Sequence, residues 1–462
     1  MERTSTSLMA LGLAMALTAS CAQADGQFLG GGPGEGPQAP RSSDDPGEVA
    51  RRAVDDVSAY WRSTYPDVYG GRWVDLAGVY PYGPHTELPP CGPGDLTYEE
   101  IAGNAFYCPQ DDIIAWDEVA LLPALNQEFG AFTVAIVIAH EFGHAVQARS
   151  RAEDRTVDLE LQADCFAGSW ARRVADGRAE GFDPDDVDLD KTVAGMIAIR
   201  DVPGTSPEDP MAHGSGFDRV STFQDGYQHG VRTCKGYADE ATDRVTAEIP
   251  FQEGDDVTGG NLPLADNWDG RGSKGLLSLV TADLNEFYDW FFDQLDQAWR
   301  PVDDLEIVDP DLDSVSCGDK ELSGKDLSYL AVYCEDQNAV VLDGEGLVDG
   351  LYSIGDFAVA SELARLWAIA AQVQLDVVDQ ERSELQADCL TGSWAASTFP
   401  GASPDVTPTQ LQISAGDLDE AIMGFLAYGT DGEDATAFQR TDALRTGVFG
   451  ELRACEEYGP LV

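Results

Sequence analysis

Hydrophobic positions along the 462-residue chain fall into blocks whose spacing predicts their structure. The first block, Leu8 to Leu17, is a short apolar run behind a polar start with one Arg. It is shorter than the roughly 20 helical residues that span a bilayer, and it suits the core of a signal peptide. Gly26 to Gly47 is rich in Gly and Pro and reads as a flexible tether. A helix is expected near Glu48–Tyr65, and Asp112 to Trp116 reads as a short strand. The longest apolar block runs from Phe129 to about Ser150. It has no charge between Gly130 and Ala139, which predicts a helix buried on most sides. Further helices are expected from Asp158 to about Val174, Leu189 to Ile199, and Phe217 to about Arg232.

The pattern then repeats. Glu160-Leu-Gln-Ala-Asp-Cys-Phe-Ala-Gly-Ser-Trp170 recurs as Glu384-Leu-Gln-Ala-Asp-Cys-Leu-Thr-Gly-Ser-Trp394. Phe106-Tyr107-Cys108 matches Val332-Tyr333-Cys334, and Trp73 precedes Cys91 as Trp299 precedes Cys317. Self-similarity of this kind predicts two tandem homologous domains. The expected class is α+β, mainly helical with small β elements. The expected order is a signal peptide at 1–24, a tether at 25–47, a domain at 48–240, a linker at 241–275 and a second domain at 276–462. The linker is rich in Gly, Asp, Pro and Asn.

Nine cysteines are an odd number for an exported chain. Setting Cys21 aside leaves eight that pair by spacing: Cys91 with Cys108, Cys165 with Cys234, Cys317 with Cys334, and Cys389 with Cys455. That connectivity gives each half two disulfides and suits an oxidising compartment. Thiolate metal binding is the rival, and no Cys-x-x-Cys pair supports it. Cys21 itself has two readings. Leu17-Thr-Ala-Ser-Cys21 resembles a bacterial lipobox with its Leu one place too far upstream, which would anchor the chain to a membrane by a lipid. Ala22-Gln-Ala24 resembles an ordinary cleavage site, which would discard Cys21. Both readings place the protein outside the cytoplasm, as a cell-envelope lipoprotein or a secreted protein.

Charge narrows the partners. The chain has 28 Lys+Arg against 83 Asp+Glu, a balance of −55. So acidic a surface repels nucleic-acid backbones and anionic headgroups. With 43% hydrophobic residues the chain still has material for packed cores.

Candidate chemistry sits inside the apolar helix, at His140-Glu141-Phe142-Gly143-His144. Positions i and i+4 share a helix face, so both imidazoles reach one metal ion, and Glu141 stands beside that face as a general base. Taken alone, the motif also fits two ordinary histidines. Glu160 and Asp164 repeat the i, i+4 spacing on the next helix. Two His and one Glu form a catalytic zinc shell, and Asp164 is placed to accept the free ring N–H of a ligating histidine. The plain alternatives are a surface charge for Glu160 and a helix-packing hydrogen bond for Asp164.

The ordered set Cys91, Phe106-Tyr107-Cys108-Pro109, His140-Glu-Phe-Gly-His144-Ala-Val-Gln147, Glu160-Leu-Gln-Ala-Asp-Cys165, His213-Gly-Ser215 and Phe223…Gly226…Cys234 resembles the bacterial putative neutral zinc metallopeptidase family. Glu-x-x-Ala-Asp also resembles the third-ligand motif of gluzincin peptidases. The resemblance implies zincin-like domains, Zn²⁺ on His140, His144 and Glu160, Glu141 as base, and Asp164 behind a ligand. It also implies a peptide or protein substrate. His213, matched to the family pattern, is the candidate for stabilising the developing oxyanion; its alternative is a loop histidine capping the helix that begins near Phe217. His85 and His229 read as surface residues.

The second half departs from this pattern. Aligning Phe132 with Phe357 sets Arg365 opposite His140, Leu366 opposite Glu141 and Ile369 opposite His144, with Gln372 matching Gln147; Asp434 falls opposite His213. All five histidines precede residue 240. A catalytically dead repeat is expected, with Glu384 kept as a structural residue. The competing class is a noncatalytic envelope binding protein on a peptidase-like scaffold.

Overall fold

The computed structural model describes residues 45–461 except 93–95, 180, 207–208, 210–211, 238–245, 248, 250–261, 265–274, 303, 378–379, 401–410, 429–434 and 451. The expected signal peptide, the tether up to residue 44, Cys21, Asp434 and most of the linker lie outside the described residues; Pro46 and Gly47, expected in the tether, instead open α1, capped by Asp45.

The first half runs α1 (Pro46–Tyr69), β1 (Gly78–Tyr82), α2 (Tyr98–Ile101), β2 (Ala105–Cys108), β3 (Ile113–Asp117), α3 (Leu121–Ser150), α4 (Thr156–Ala175), α5 (Asp186–Ala198), α6 (Gly216–His229) and α7 (Val231–Gly236). Its strands lie in the order β1-β3-β2, with β1 parallel and β2 antiparallel to β3. Among the described residues β2 is therefore an edge strand. The second half runs α8 (Leu276–Gln294), β4 (Asp304–Val308), β5 (Ser314–Cys317), β6 (Lys320–Ser323), β7 (Ala331–Cys334), β8 (Ala339–Asp343), α9 (Asp349–Ile354), α10 (Asp356–Gln374), α11 (Gln380–Ser397), α12 (Asp417–Tyr428) and α13 (Ala437–Phe449). Its sheet has the same pattern, β4-β8-β7 with one parallel and one antiparallel pairing, plus the β5–β6 hairpin.

The apolar block expected as a helix from Phe129 starts earlier, at Leu121, and breaks at Gly130. Gly130 has φ 83°, a left-handed conformation that costs a residue with a Cβ but not glycine. By length and composition α3 could cross a bilayer. Instead it packs against α1, α4, α5, β2 and β3, which accounts for its missing charges.

Helices α4 and α6 touch backbone to backbone. A Cβ on Gly168 would overlap the Phe223 carbonyl oxygen, and one on Gly226 would overlap that of Cys165. Cys165–Cys234 staples this pair, and Cys91–Cys108 ties the preceding loop to β2. The second half repeats the device: Gly392 meets Leu444, Gly447 meets Cys389, and the bridges are Cys389–Cys455 and Cys317–Cys334. The aromatic supports repeat as well. Trp170 stacks on Phe132 and donates to Asp56 at 2.9 Å, while Trp394 stacks on Phe357 and donates to Asp283 at 2.9 Å.

A single cluster of buried apolar residues runs through both halves. Where the halves meet, α5 touches α12 and α13, and α6 touches α12 and α13. The polar contacts there are reciprocal. Asp419 on α12 accepts the Gly216 and Phe217 amides that open α6, at 3.2 and 2.7 Å. Asp190 on α5 accepts the Phe438 amide that opens α13, at 2.7 Å. Gln224 donates to the Phe438 carbonyl and Arg445 to the Ser221 carbonyl, both at 2.7 Å. Like patches face each other as in a two-fold dimer interface.

Candidate functional site

Helix α3 presents His140 and His144 one turn apart, and α4 packs across it bearing Glu160 and Asp164. Close approach is possible because Gly143 lies against Ala163, where a Cβ would collide with the α4 backbone. The Nε2 atoms of His140 and His144 are 3.1 Å apart. Glu160 closes the group, Oε2 3.2 Å from His140 Nε2 and Oε1 3.4 Å from His144 Nε2. Ligand atoms of all three lie within 4.8 Å of one another.

The other ring nitrogens are committed. His140 Nδ1 lies 2.7 Å from Asp164 Oδ1, and Asp164 is held by Arg219 through Nε and Nη2 at 2.8 and 3.1 Å. His144 Nδ1 lies 2.9 Å from Gln147 Oε1. The Gln147 amide is oriented in turn, because its Nε2 donates to the Leu159 carbonyl at 2.6 Å. Both Nδ1 atoms then donate, so each ring turns its Nε2 toward Glu160, and with the rings neutral both Nε2 atoms offer lone pairs. In the metal-free protein the carboxylates favour a proton on this pair; with both rings neutral, two Nε2 lone pairs and the Glu160 carboxylate converge as a donor set that fits Zn²⁺.

Electrostatics follow from burial and these partners. Burial pushes His140 down, but Asp164 and Glu160 outweigh it and raise its pKa to about 10 in the metal-free protein. Glu160 is held well below the usual carboxylate range because the two imidazoles outweigh the burial penalty. Glu141, 6% exposed, moves the other way: burial pushes it up against the pull of the histidines. Its carboxylate accepts the backbone N–H of Tyr107 on β2. The edge strand thus runs past Glu141.

These residues open onto a cavity of about 410 Å³. Its walls include Asn104, Ala105 to Tyr107 of β2, Leu125, Ile136, Val137 and Met196, together with Arg200, Asp201 and His213. His213 is anchored by Asp201, which accepts its backbone N–H at 2.6 Å, lies 3.2 Å from its Nδ1, and accepts the Gly214 amide at 2.8 Å. The expected alternative of a helix cap falls to Ser215, whose side chain accepts the Asp218 amide at the start of α6. His85 is exposed, and His229 pairs with Asp225 at 3.0 Å away from the cavity wall.

Three residues of this site have no role in the sequence reading. Gln147 follows His144 by three residues and recurs as Gln372, so its position is marked in the sequence though its contact is not. Arg219 recurs too: Arg440 grips Asp388 at 2.9 and 3.0 Å, as Arg219 grips Asp164. Asp201 carries no signal in the sequence.

At the corresponding place in the second half, Arg365 pairs with Glu362 at 2.6 Å and borders a cavity of about 160 Å³. Gln372 donates to Gln386 at 2.9 Å, and Gln386 donates onward to the Gly459 carbonyl at 2.6 Å. Among the described residues the other close acidic group, Asp356, Asp417 and Glu420, lies at the starts of α10 and α12.

Residues 34–237 match the family described as Putative neutral zinc metallopeptidase, and the whole site lies within that segment. Uncharacterized proteins of Mycobacterium bovis and Mycobacterium tuberculosis are 31% identical over 166 residues, which cover 30% of this chain and 55% of theirs. The uncharacterized protein YpfJ of Escherichia coli K12 is 30% identical over 165 residues, 30% of this chain and 54% of its own. The chain thus spans about half the length of the curated relatives it matches. No solved structure matches it.

Proposed function

We propose that the first half, over which the match to a zinc metallopeptidase family runs, hydrolyses peptide bonds, and that the second half is a homologous repeat without catalytic chemistry. One observation carries this reading: His140, His144 and Glu160 converge as three acceptors beside a buried acid at the mouth of a cavity. These three residues would hold zinc, which supplies Lewis-acid activation of water and of a carbonyl group.

The chain's own residues do the rest. Edge strand β2 offers its free side to an extended peptide, which adds to it as a further strand. Tyr107 N–H fixes the Glu141 carboxylate against that strand. Glu141 takes a proton from the attacking water as the water oxygen bonds to the carbonyl carbon. It then delivers that proton to the amine nitrogen as the C–N bond breaks. Burial holds Glu141 above the ordinary carboxylate range, nearer the pH at which a base both accepts and returns a proton. His213, steadied by Asp201, faces the cavity as a donor to the carbonyl oxygen as negative charge builds there.

The second half has no histidine, and Arg365 with Glu362 fills the place of the ligands. Four disulfides support an exported protein, secreted or tethered at Cys21. The test is zinc content and casein or peptide-library cleavage by the wild type and Glu141→Gln. The variant is expected to keep one zinc per chain and lose about 10²- to 10⁴-fold in kcat. Equal cleavage by both proteins would exclude the assigned base, and no cleavage by either would favour a binding protein.

A further inference from the structure

The wall of the catalytic cavity that carries Arg200, Asp201 and His213 is fastened from the other half of the molecule. Asp419, 2% exposed, lies on α12 and reaches across the junction. Its Oδ2 sits 2.9 Å from Arg200 Nε, and its two oxygens accept the Gly216 and Phe217 amides. Arg200 and Gly216 bracket the connection from α5 to α6, and both Asp201 and His213 lie inside that bracket. One carboxylate therefore grips both ends of the segment that presents His213 to the cavity. Helix α6 also carries Arg219, the support of Asp164 and, through it, of His140. A helix start is an electropositive end with unpaired amides, so a buried aspartate is well matched to it.

We propose that Asp419 is a positioning residue of the hydrolytic site, so that the second half completes the first half's active site by fixing the Arg200–His213 wall. This inference rests on the peptidase reading of the cavity. Asp419 touches neither the metal-ligand group nor the reacting peptide; it acts through Arg200 and the start of α6. The reciprocal contact supplies an internal control. Asp190 on α5 accepts the amide at the start of α13, across the same junction. It has the same capping role at the helix of the half without metal-ligating residues.

The experiment uses the full chain. Asp419→Asn, Asp419→Ala, Asp190→Asn, Arg200→Ala and the Asp419→Ala/Arg200→Ala double variant are assayed for zinc content, melting temperature, kcat and KM. Displacement of a positioned group by about 1 Å costs up to about 10²-fold. Asp419→Asn keeps the shape and one acceptor oxygen, and is expected to lose about 10-fold in kcat/KM with one zinc still bound. Asp190→Asn is expected to lower the melting temperature comparably and leave kcat/KM within about 2-fold of wild type. The double variant should lose less than the product of the two single losses, because both remove the Arg200–Asp419 link. Wild-type kcat/KM in Asp419→Asn, or equal losses in Asp419→Asn and Asp190→Asn, overturns the positioning role alone. A wild type whose cleavage does not depend on Glu141 overturns the peptidase reading, and this inference with it.

Discussion

His140 is held at both ends, and the consequences run outward from that one ring. Asp164 fixes its Nδ1, Arg219 fixes Asp164, and Nε2 is left facing Glu160 and His144. A carboxylate behind a ligating imidazole sets the tautomer and raises ligand basicity, an effect usually worth about 10- to 100-fold in metal affinity. Asp164→Ala is therefore expected to weaken zinc binding by about that factor in a chelator competition, with Glu141 in place. Unchanged affinity would mean that the Asp164 contact only packs α4 against α6. The grouping of His140, His144 and Glu160 was legible in the sequence because residues at i, i+4 share a helix face, and that spacing is visible one residue at a time. Arg219 and Asp201 were not, since each meets its partner across a loop or between helices, where no local period exists. His213 fell between the two: its motif marked it, while the cap of α6 by Ser215 and the contact of His213 with Asp201 appear only in the structure.

Among elements, the close helix pair α4–α6 sets the site's frame, and glycine makes it possible. Any Cβ at Gly226 would overlap the Cys165 carbonyl, so the helices must separate and drag Glu160, Asp164 and Arg219 apart. Gly226→Ala is expected to cost about 1–3 kcal/mol, as overpacking usually does, seen as a lower melting temperature, and to lower zinc affinity. Gly447→Ala makes the same collision in α11–α13, and should cost similar stability while leaving zinc affinity alone. A second element-level effect concerns the start of α12. Burial first, then Asp417 and Asp356, push Glu420 up to about 9. The folded chain then holds a proton that the unfolded chain releases near pH 4.5. Stability from this group is complete below about 4.5 and falls as pH rises toward about 9. Glu420→Gln should flatten that decline, making the variant relatively more stable at pH 8 than at pH 5; melting at both values checks it. The five longer helices of the first half, α1, α3, α4, α5 and α6, could be read from the apolar pattern. The break at Gly130 could not, because a lone glycine in a uniformly apolar run has no period to interrupt.

At the scale of the whole molecule, the repeat was plain in the sequence, and the largest cluster of buried apolar residues draws on both halves, beside smaller clusters within each. Composition marked 241–275 as a linker, and the apolar faces of α5, α6, α12 and α13 could not announce that they bury one another. Phe217 packs on Phe449 and Phe223 on Phe438, with ring centroids 5.6 and 6.4 Å apart. Val220 and Phe223 are fully buried there. A fragment of residues 45–240 would expose this face to water. At roughly 25 cal/mol for each Å² of apolar surface, several such side chains are comparable with the 5–15 kcal/mol that usually separates folded from unfolded chains. The fragment is therefore expected to melt without cooperativity and to bind a hydrophobic dye. Adding residues 275–462 in trans should restore a cooperative transition. Charge decides the conditions: in a chain of −55 the halves repel, and salt screens that repulsion within about 10 Å at 0.1 M. Reassociation should then tighten as salt rises, the reverse of an interface held mainly by exposed ion pairs. Cooperative melting of 45–240 alone would show that the shared core is dispensable to the first half.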